Sequence, residues 1–260
     1  MIRVSTIACS MALVACGNVS DAPQPQEIAA DHIQSGYAFL TSQTHELQND
    51  PFENPGYLWV DRGEQLFSTV DSPAIPSCAS CHTDGVSGVA ARYPLVDSQT
   101  GKLLSLEGRI NQCRTEHQGL AAYPYESEAL LSLTAFVAQQ SQGIPISVSI
   151  DDTNRQFYET GRDYFLTRRG QFNLSCQQCH TENWGKQLRG DTISQGHGNG
   201  FPAYRLEWQS LGSLHRRLRD CDTGVRAEPL PYGDPTYVAL ELYLATRANG
   251  LEIETPAVRR

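Results

Sequence analysis

The pentapeptides CASCH (78–82) and CQQCH (176–180) decide the fold that this sequence predicts. Both match C-x-x-C-H, the motif to which a c-type haem is attached, with the histidine as the proximal iron ligand. A lone C-x-x-C also occurs in zinc sites, but tetrahedral zinc needs further Cys or His at short spacing. Two covalently bound haem c groups are therefore predicted, with these attachment cysteines and iron-binding histidines: Cys78, Cys81, Cys176, Cys179, His82 and His180.

An internal repeat of about 100 residues surrounds the two motifs. A glycine precedes each motif at the same distance, inside a segment with helical spacing of apolar residues. After each motif comes an arginine four residues before a cysteine. The repeated pairs are Gly63 and Gly161, Arg109 and Arg217, and Cys113 and Cys221.

A closing helix is predicted near the end of each half. Residues 129–143 and 237–250 carry apolar residues at helical spacing, and each segment ends on a glycine that is expected at the C-cap. Each half thus follows the order helix, haem motif, long loop, Arg-x-x-x-Cys and closing helix. The predicted fold class is all-α, with two tandem class I cytochrome c-like domains at 47–150 and 151–260 and long loops within them.

The N-terminus resembles an export signal. Residues 1–15 hold one early arginine and an apolar run that is too short to span a bilayer, which is typical of a secretory signal peptide. The run ends in LVACG (13–17), which resembles a lipobox, so Cys16 is a candidate lipid anchor. Ordinary signal cleavage nearby is the open alternative. Both predict a periplasmic protein, with residues 16–46 as a tether and N-terminal extension.

The charge balance has one local exception. The chain of 260 residues has 29 Asp and Glu against 20 Lys and Arg, a net charge of -9, which argues against a general nucleic-acid binder. Against this background, HRRLRDCDTGVRAEP (215–229) gathers several arginines around Cys221. Positive charge beside a single thiol requires a local explanation.

The sixth iron ligands are the second question. In cytochrome c domains this ligand is most often Met, from the loop before the closing helix, but both methionines here lie in the export segment. Cys113 and Cys221 stand in the equivalent places, and we interpret them as thiolate ligands, which favour Fe(III) and lower the reduction potential. Two alternatives stay open: a Cys113–Cys221 disulfide, and ligation by His117 or His215.

Four stretches resemble the SoxA family, the dihaem subunits of the SoxAX cytochromes of bacterial thiosulfate oxidation. The resemblance covers roughly residues 35–260. The stretches are CRTEHQG (113–119), GHGNGFPAYRLEW (196–208), RRLRDCDTGVRAEP (216–229) and YVALELYLATRANGLEIETPAVRR (237–260).

The resemblance implies an activity and partners. A periplasmic heterodimer with a smaller monohaem cytochrome of the SoxX type is expected. It would join thiosulfate to a cysteine of a SoxYZ-type carrier protein with loss of two electrons. Those electrons would pass to the SoxX-type haem and then to a small c-type cytochrome.

Carried over by position, the resemblance makes Cys113 the distal ligand of the first haem. It makes Cys221 the distal ligand of the second haem and also the active-site residue, held as a persulfide. The resemblance also matches Arg217 to the family's substrate-binding arginine, and its planar fork suits the sulfonate oxygens of the thiosulfate dianion. Two interpretations stay open for the neighbouring arginines. They raise the local electrostatic potential, or they pair with acids or with haem propionates. The arginines concerned are Arg216, Arg219 and Arg226.

A competing hypothesis is a dihaem c-type electron-transfer cytochrome without substrate chemistry. It predicts haem irons with either a histidine and a methionine or two histidines as axial ligands. The absence of methionine outside the export segment excludes the histidine–methionine pair. A dihaem peroxidase needs an open or displaceable distal side, and two distal cysteines argue against it.

Overall fold

A computed structural model describes residues 27–70, 72 and 74–260 of the chain. The predicted signal peptide (1–15), Cys16 and the start of the predicted tether lie outside the described residues. In the part of the chain that the structure describes, no helix has the length and apolar character needed to cross a membrane.

Helices make up most of the regular structure. Their starts are fixed largely by Ser and Thr side chains that accept hydrogen bonds from the first-turn backbone, as at Ser105 and Ser213. Short 3₁₀ helices cover Ala30–His32, Gly36–Phe39 and Ala90–Arg92. The α-helices are α1 (Ser42–Asn49), α2 (Tyr57–Ser68), α3 (Cys78–Cys81), α4 (Leu106–Glu116), α5 (Glu128–Gln139), α6 (Arg155–Leu166), α7 (Cys176–His180), α8 (Leu214–Gly224) and α9 (Pro235–Arg247).

Small sheets connect the helices. The antiparallel pairs are β1 (Leu95–Val96) with β2 (Leu103–Leu104), and β3 (Gln187–Leu188) with β4 (Asp191–Thr192). A third sheet places β5 (Ala203–Arg205) between antiparallel β6 (Ser210–Gly212) and parallel β7 (Ala257–Arg259). The fold is therefore helix-rich with small sheets, which the expected all-α fold did not include. These strands are too short for an alternating pattern to reveal them in the sequence.

Two helix pairs pack through direct backbone contact at a glycine. A Cβ on Gly63 of α2 would lie 2.0 Å from the carbonyl oxygen of Ser132 in α5. A Cβ on Gly161 of α6 would lie 2.0 Å from the carbonyl oxygen of Ala239 in α9. Only glycine permits this approach, so both glycines are explained by helix packing in equivalent places.

The closing helices end slightly earlier than the sequence predicts. The C-cap residues of α5 and α9 are Gln140 and Ala248, which corrects the expectation that glycines occupy these positions. Gly143 and Gly250 follow with φ of 76° and 88°, in the left-handed region that favours glycine. Each glycine therefore turns the chain just after the helix instead of capping it.

The segments after the two closing helices join the halves of the chain. The backbone N–H of Gly143 donates to the carbonyl of Ile253 at 2.9 Å, and that of Gly250 donates to Ile146 at 3.0 Å. Ile146 and Ile253 also belong to one buried apolar cluster, together with Leu242 of α9. The connection is thus both hydrogen-bonded and packed.

Two carboxyl groups are buried near this junction. Glu107 of α4 and Glu241 of α9 are 7% and 8% exposed and line a cavity of about 100 Å³. Burial raises the pKa of Glu107. Burial also raises the pKa of Glu241 well above its ordinary value, and negative charge on Glu107 raises it further. Burial in this cavity therefore favours the protonated form of both carboxyl groups.

His215 is buried beside this cavity. Its Nδ1 accepts a hydrogen bond from the backbone N–H of Gly233 at 3.0 Å, and its Nε2 lies 3.3 Å from Glu241 Oε1. Burial lowers the pKa of His215 to about 4, which agrees with a neutral ring whose Nδ1 is an acceptor. Nδ1 is occupied by its hydrogen bond, and Nε2, which makes no hydrogen bond among the described residues, lies beside Glu241, so the geometry gives no support to His215 as a haem ligand.

Gly161→Ala should destabilise the protein by about 3 kcal/mol or more, because the new methyl group would overlap the backbone of α9. Gly108→Ala is the matched control: its Cβ would meet Leu104 at an ordinary 3.6 Å. Helix propensity predicts a stabilisation of up to about 1 kcal/mol for this control. Urea unfolding of both variants measures the difference, and equal stabilities would contradict the proposed contact.

Glu241→Gln should flatten the pH dependence of stability. The folded protein keeps a proton on Glu241 that the unfolded chain releases above about pH 4.5, its ordinary value. Stability therefore falls as pH rises from there, until the raised pKa of the folded state is passed. Unfolding free energies from pH 5 upward, with Glu252→Gln as an exposed control, should show the smaller slope only for Glu241→Gln.

Candidate functional site

The second haem motif forms a short helix with a well-oriented histidine. His180, the last residue of α7, has its Nδ1 2.8 Å from the carbonyl oxygen of Ser194. Burial lowers the pKa of His180 to about 4, so the ring is neutral and Nδ1–H donates to that carbonyl. Nε2 is left as an iron-binding donor, the arrangement expected for a metal-bound histidine.

Gly196 makes this orientation possible. Its φ is +76°, and a Cβ there would lie 2.8 Å from His180 Cγ. The loop that follows Ser194 can therefore lie directly against the imidazole only with glycine in this place. Sequence reasoning noted the GHGNG stretch but assigned Gly196 no role.

Cys221 lies on α8 beside the second haem motif. Burial is the main cause that raises the pKa of Cys176, to about 11, and the pKa of Cys179. Negative charge on Cys221 raises both pKa values further. Arg169 links the two elements, with Nη1 3.6 Å from Cys176 Sγ and 3.4 Å from Asp222 Oδ1. The structure thus brings Cys221 together with the motif that sequence spacing associates with it.

Asp222 anchors the helix that carries Cys221. It is 3% exposed and accepts hydrogen bonds from the hydroxyls of Tyr164 and Tyr237, each at 2.6 Å. Burial, with the hydrogen bond to Asp222, raises the pKa of both tyrosines, which therefore stay protonated as donors. With the Arg169 ion pair, Asp222 is held by three residues, a role that sequence reasoning missed.

Arg217 lies one helical turn before Cys221 on α8. Negative charge on Cys221 raises the pKa of Arg217 more than any other group does, followed by Asp220 and Glu207. Within the described part of the chain, the Arg217 guanidinium makes no hydrogen bond and no ion pair. Its donors are thus available to an anion at Cys221.

Arg109, the repeat equivalent, is bound on every side. Its Nε donates to Tyr93 at 3.2 Å and its Nη1 to Gln112 at 2.6 Å, while Nη2 lies 3.5 Å from Asp97. The two equivalent arginines therefore differ in whether their donors are used.

The remaining arginines of the basic stretch have partners away from Cys221. Each stacks on an aromatic ring and contacts a carboxylate, carbonyl or amide, and among the described residues only Arg216 faces an acid, as the pairing interpretation expects. Arg216 lies over the ring of Trp208, 3.9 Å from Glu126. Arg219 lies over Tyr232 and donates to the backbone carbonyl of Leu230. Arg226 lies over Phe172, and its Nη1 is 3.2 Å from the side-chain oxygen of Gln171.

The first haem motif borders a large cavity. Cys78, His82 and Cys113 line a space of about 440 Å³, within the size range of ligand pockets. Apolar side chains such as Phe67, whose ring is 6.0 Å from that of His82, form much of its wall. A cavity with a C-x-x-C-H thiol and imidazole and a further thiol on its walls fits a covalently bound haem.

All six cysteines in the described residues are free thiols. Cys113 influences the pKa of Cys78, whereas Cys221 influences those of Cys176 and Cys179. Each additional cysteine therefore stands beside its own haem motif. This arrangement gives no support to a Cys113–Cys221 disulfide.

Comparison with known proteins identifies the family. The family model described as "SoxA/TsdA, cytochrome c domain" matches residues 62–146 and 160–253. The L-cysteine S-thiosulfotransferase subunit SoxA of Rhodovulum sulfidophilum is 39% identical over 246 residues, covering 93% of this chain and 86% of the relative. This chain belongs to the SoxA family.

Other SoxA proteins agree. SoxA of Paracoccus pantotrophus is 38% identical over 231 residues, covering 88% of this chain and 80% of the relative. The crystal structure of SoxXA from P. pantotrophus contains a chain that superposes with a TM-score of 0.83 at 38% identity, covering 88% of this chain and 87% of that one. Membership of this cytochrome c family implies covalently bound haem c.

Asp222→Ala should destabilise this SoxA-family chain by about 3 kcal/mol, since it leaves Arg169 buried without its counterion and two tyrosine hydroxyls without an acceptor. Asp220→Ala is the neighbouring control: Asp220 is exposed and accepts one hydrogen bond from Trp208 at 2.9 Å. Less than about 1 kcal/mol is expected there. Thermal unfolding compares them, and an equal effect would refute the anchoring role.

Proposed function

We propose that this chain catalyses the oxidative coupling of thiosulfate to a cysteine of a SoxYZ-type carrier protein, as an L-cysteine S-thiosulfotransferase subunit. The observation that carries this proposal is the juxtaposition of the Cys221 thiol with an arginine whose donors are unused. The names of the SoxA relatives support it.

Two haem c groups are part of the proposal. Cys78 and Cys81 would attach the first, with His82 and Cys113 binding its iron. The second would be held by the corresponding residues, Cys176, Cys179, His180 and Cys221. When bound, the haems supply one-electron acceptors. The Nδ1 hydrogen bond of His180 and the cavity beside Cys113 are the features that fit these groups.

Substrate binding is assigned to Arg217. Its guanidinium presents parallel N–H donors to the sulfonate oxygens and stays charged at all working pH values. Because Arg217 precedes Cys221 by one helical turn, its fork and the cysteine sulfur project from the same face of α8. Thiosulfate held there directs its sulfane sulfur toward Cys221.

The coupling step forms one sulfur–sulfur bond and releases two electrons. The Cys221 persulfide, Cys221–S–S⁻, joins S–SO₃²⁻ to give Cys221–S–S–S–SO₃⁻. The two electrons leave one at a time toward a SoxX-type monohaem cytochrome and then a small c-type cytochrome. The Cys221 side chain thus carries the bound substrate between the oxidation and the transfer.

The transfer step is a thiol–disulfide type of exchange. The carrier thiolate, R–S⁻, attacks the sulfur bonded to the sulfonate and yields R–S–S–SO₃⁻. The bond between that sulfur and the persulfide breaks, and Cys221–S–S⁻ is regenerated. The partly exposed position of Cys221 suits attack by a second protein.

The cellular setting and architecture are also proposals. We place the protein in the periplasm, in a heterodimer with the monohaem partner, which the likeness to a chain of the SoxXA crystal structure supports. Cys16 is a candidate lipid anchor. The two matched segments, 62–146 and 160–253, support tandem cytochrome c domains at 47–150 and 151–260 after a signal peptide (1–15) and tether (16–46).

The first test is a non-reducing intact mass of the mature protein, with peptide mapping around Cys221. We expect two covalent haems, no disulfide, and the mass of one additional sulfur atom on Cys221. Treatment with cyanide should release that sulfur as thiocyanate. A disulfide between Cys113 and Cys221 would contradict the proposal and leave a dihaem electron carrier.

Cys221→Ala should abolish coupling of thiosulfate to the carrier, since it removes the sulfur that binds substrate. Cys113→Ala is the matched control, because it removes the equivalent thiol of the first half and leaves the substrate-binding thiol in place. We expect this control to retain two haems and measurable coupling. Full coupling activity in Cys221→Ala would refute the catalytic role.

A further inference from the structure

A second arginine, Arg205 of β5, is buried and lies within electrostatic range of the Cys221 site, which comprises Cys221, Arg217 and α7. Burial lowers the pKa of Arg205, and the positive charge of Arg217 lowers it further, while negative charge on Cys221 raises it. The three side chains therefore lie within electrostatic range of one another. Sequence reasoning quoted the stretch that holds Arg205 without giving it a role.

Arg205 is held by rigid structure. Its Cζ lies 5.0 Å from the ring centroid of Trp208, in the turn between β5 and β6. Trp208 in turn lies over Gly212, where a Cβ would come within 2.4 Å of the indole. β6 ends at Gly212 and Ser213 caps α8, so the hairpin that carries Arg205 leads directly into the helix that carries Cys221.

The donors of Arg205 are only partly used. Nη2 lies 3.0 Å from Glu207, whose side chain is 65% exposed, whereas the Arg205 side chain is only 7% exposed. The buried Nε has no hydrogen-bond partner among the described residues. A buried guanidinium that relies on one solvent-facing carboxylate is not a satisfied structural ion pair.

The charges near Cys221 do not balance. Arg205 and Arg217 carry two positive charges in a partly buried space. Among the described residues, the one carboxylate within ion-pair distance of either is the exposed Glu207. Asp220 and Asp191 act on Arg217 from farther away. Two guanidinium groups in mutual repulsion are stabilised by an anion between them. A dianion with several terminal oxygens satisfies both forks, and a monoanion leaves part of the charge unmatched.

We propose that Arg205 is a second substrate-binding residue of the Cys221 site and that it acts with Arg217 to select doubly charged oxyanions of sulfur. This inference rests on the proposed thiosulfate-coupling function. Both guanidinium groups bind sulfonate oxygens: Arg217 from α8, one turn before Cys221, and Arg205 from the sheet. The exposed Glu207 carboxylate turns to solvent when the anion takes its place.

The test compares Arg205→Gln and Arg205→Lys with the wild-type holoprotein in complex with its monohaem partner, using thiosulfate as the probe. We expect Arg205→Gln to raise KM for thiosulfate about 10- to 100-fold, because the variant loses a charge-assisted hydrogen bond to the substrate. We expect kcat to change by less than about twofold. Arg205→Lys, which keeps the charge but loses the fork, should give an intermediate KM.

Arg216→Gln is the matched control. Arg216 stacks on the same Trp208 ring, with its Cζ 4.4 Å from the centroid, and its side chain is 33% exposed and faces Glu126. Removing its charge is expected to change KM by less than about twofold, as for exposed charges in general. An equal rise of KM in Arg205→Gln and Arg216→Gln would overturn the proposal, because it would show that any positive charge near the site has the same electrostatic effect on thiosulfate binding.

A contact of Arg205 with a haem propionate is the competing explanation. It predicts that Arg205→Gln shifts the reduction potential and absorption spectrum of the second haem and leaves KM unchanged, and that result would overturn the proposal. If Arg205→Gln fails to retain two haems, Arg205→Lys carries the test, and an unchanged KM in that variant refutes it. Wild-type protein that couples no thiosulfate would instead refute the proposed function.

Discussion

The geometry of the second half depends on the contact between the backbones of α6 and α9 at Gly161. Because no side chain separates these helices, Tyr164 of α6 and Tyr237 of α9 converge on one carboxylate, Asp222. That carboxylate adjoins Cys221 in the chain. A backbone contact between two helices thus determines where the thiol of a third helix is held, through two short hydrogen bonds and one ion pair.

The two halves use this helix packing in the same way and differ at the arginine one turn before the cysteine. In the first half, Arg109 donates to Tyr93 and Gln112 and pairs with Asp97, so its charge is neutralised beside an apolar cavity. Such a site suits a cofactor that needs a closed pocket. In the second half, the Arg217 donors are unused, which favours substrate chemistry there, whereas the exposure of the cysteines does not distinguish the halves, since Cys113 and Cys221 are both partly exposed.

Sequence reasoning succeeded where local spacing carries the information. The C-x-x-C-H helices, the helix with Arg217 and Cys221 one turn apart, and the closing helices all follow from short-range patterns. It assigned no role to Gly196 and Asp222, because their contacts with His180 and with Tyr164 and Tyr237 join positions well separated in the chain, and none to Arg205, whose role is a proposal from the structure. The small sheets were missed because their strands are only two or three residues long, and one pairing, β5 with β7, also joins segments more than fifty residues apart. Haem-ligand roles and domain boundaries stay predictions.

The arrangement of charge explains how an acidic protein can attract an anion to one thiol. A net charge of -9 repels anions from the surface in general. Arg216, Arg219 and Arg226 do little to offset this, because each is occupied by an aromatic ring and a polar partner. What remains, under the proposed roles, is a short-range attraction from the buried Arg205 and the partly buried Arg217, in surroundings where charge interactions are stronger than in water. Recognition in such a site depends mainly on the number and geometry of the charges on the ligand. It depends only weakly on the long-range electrostatic field of the protein.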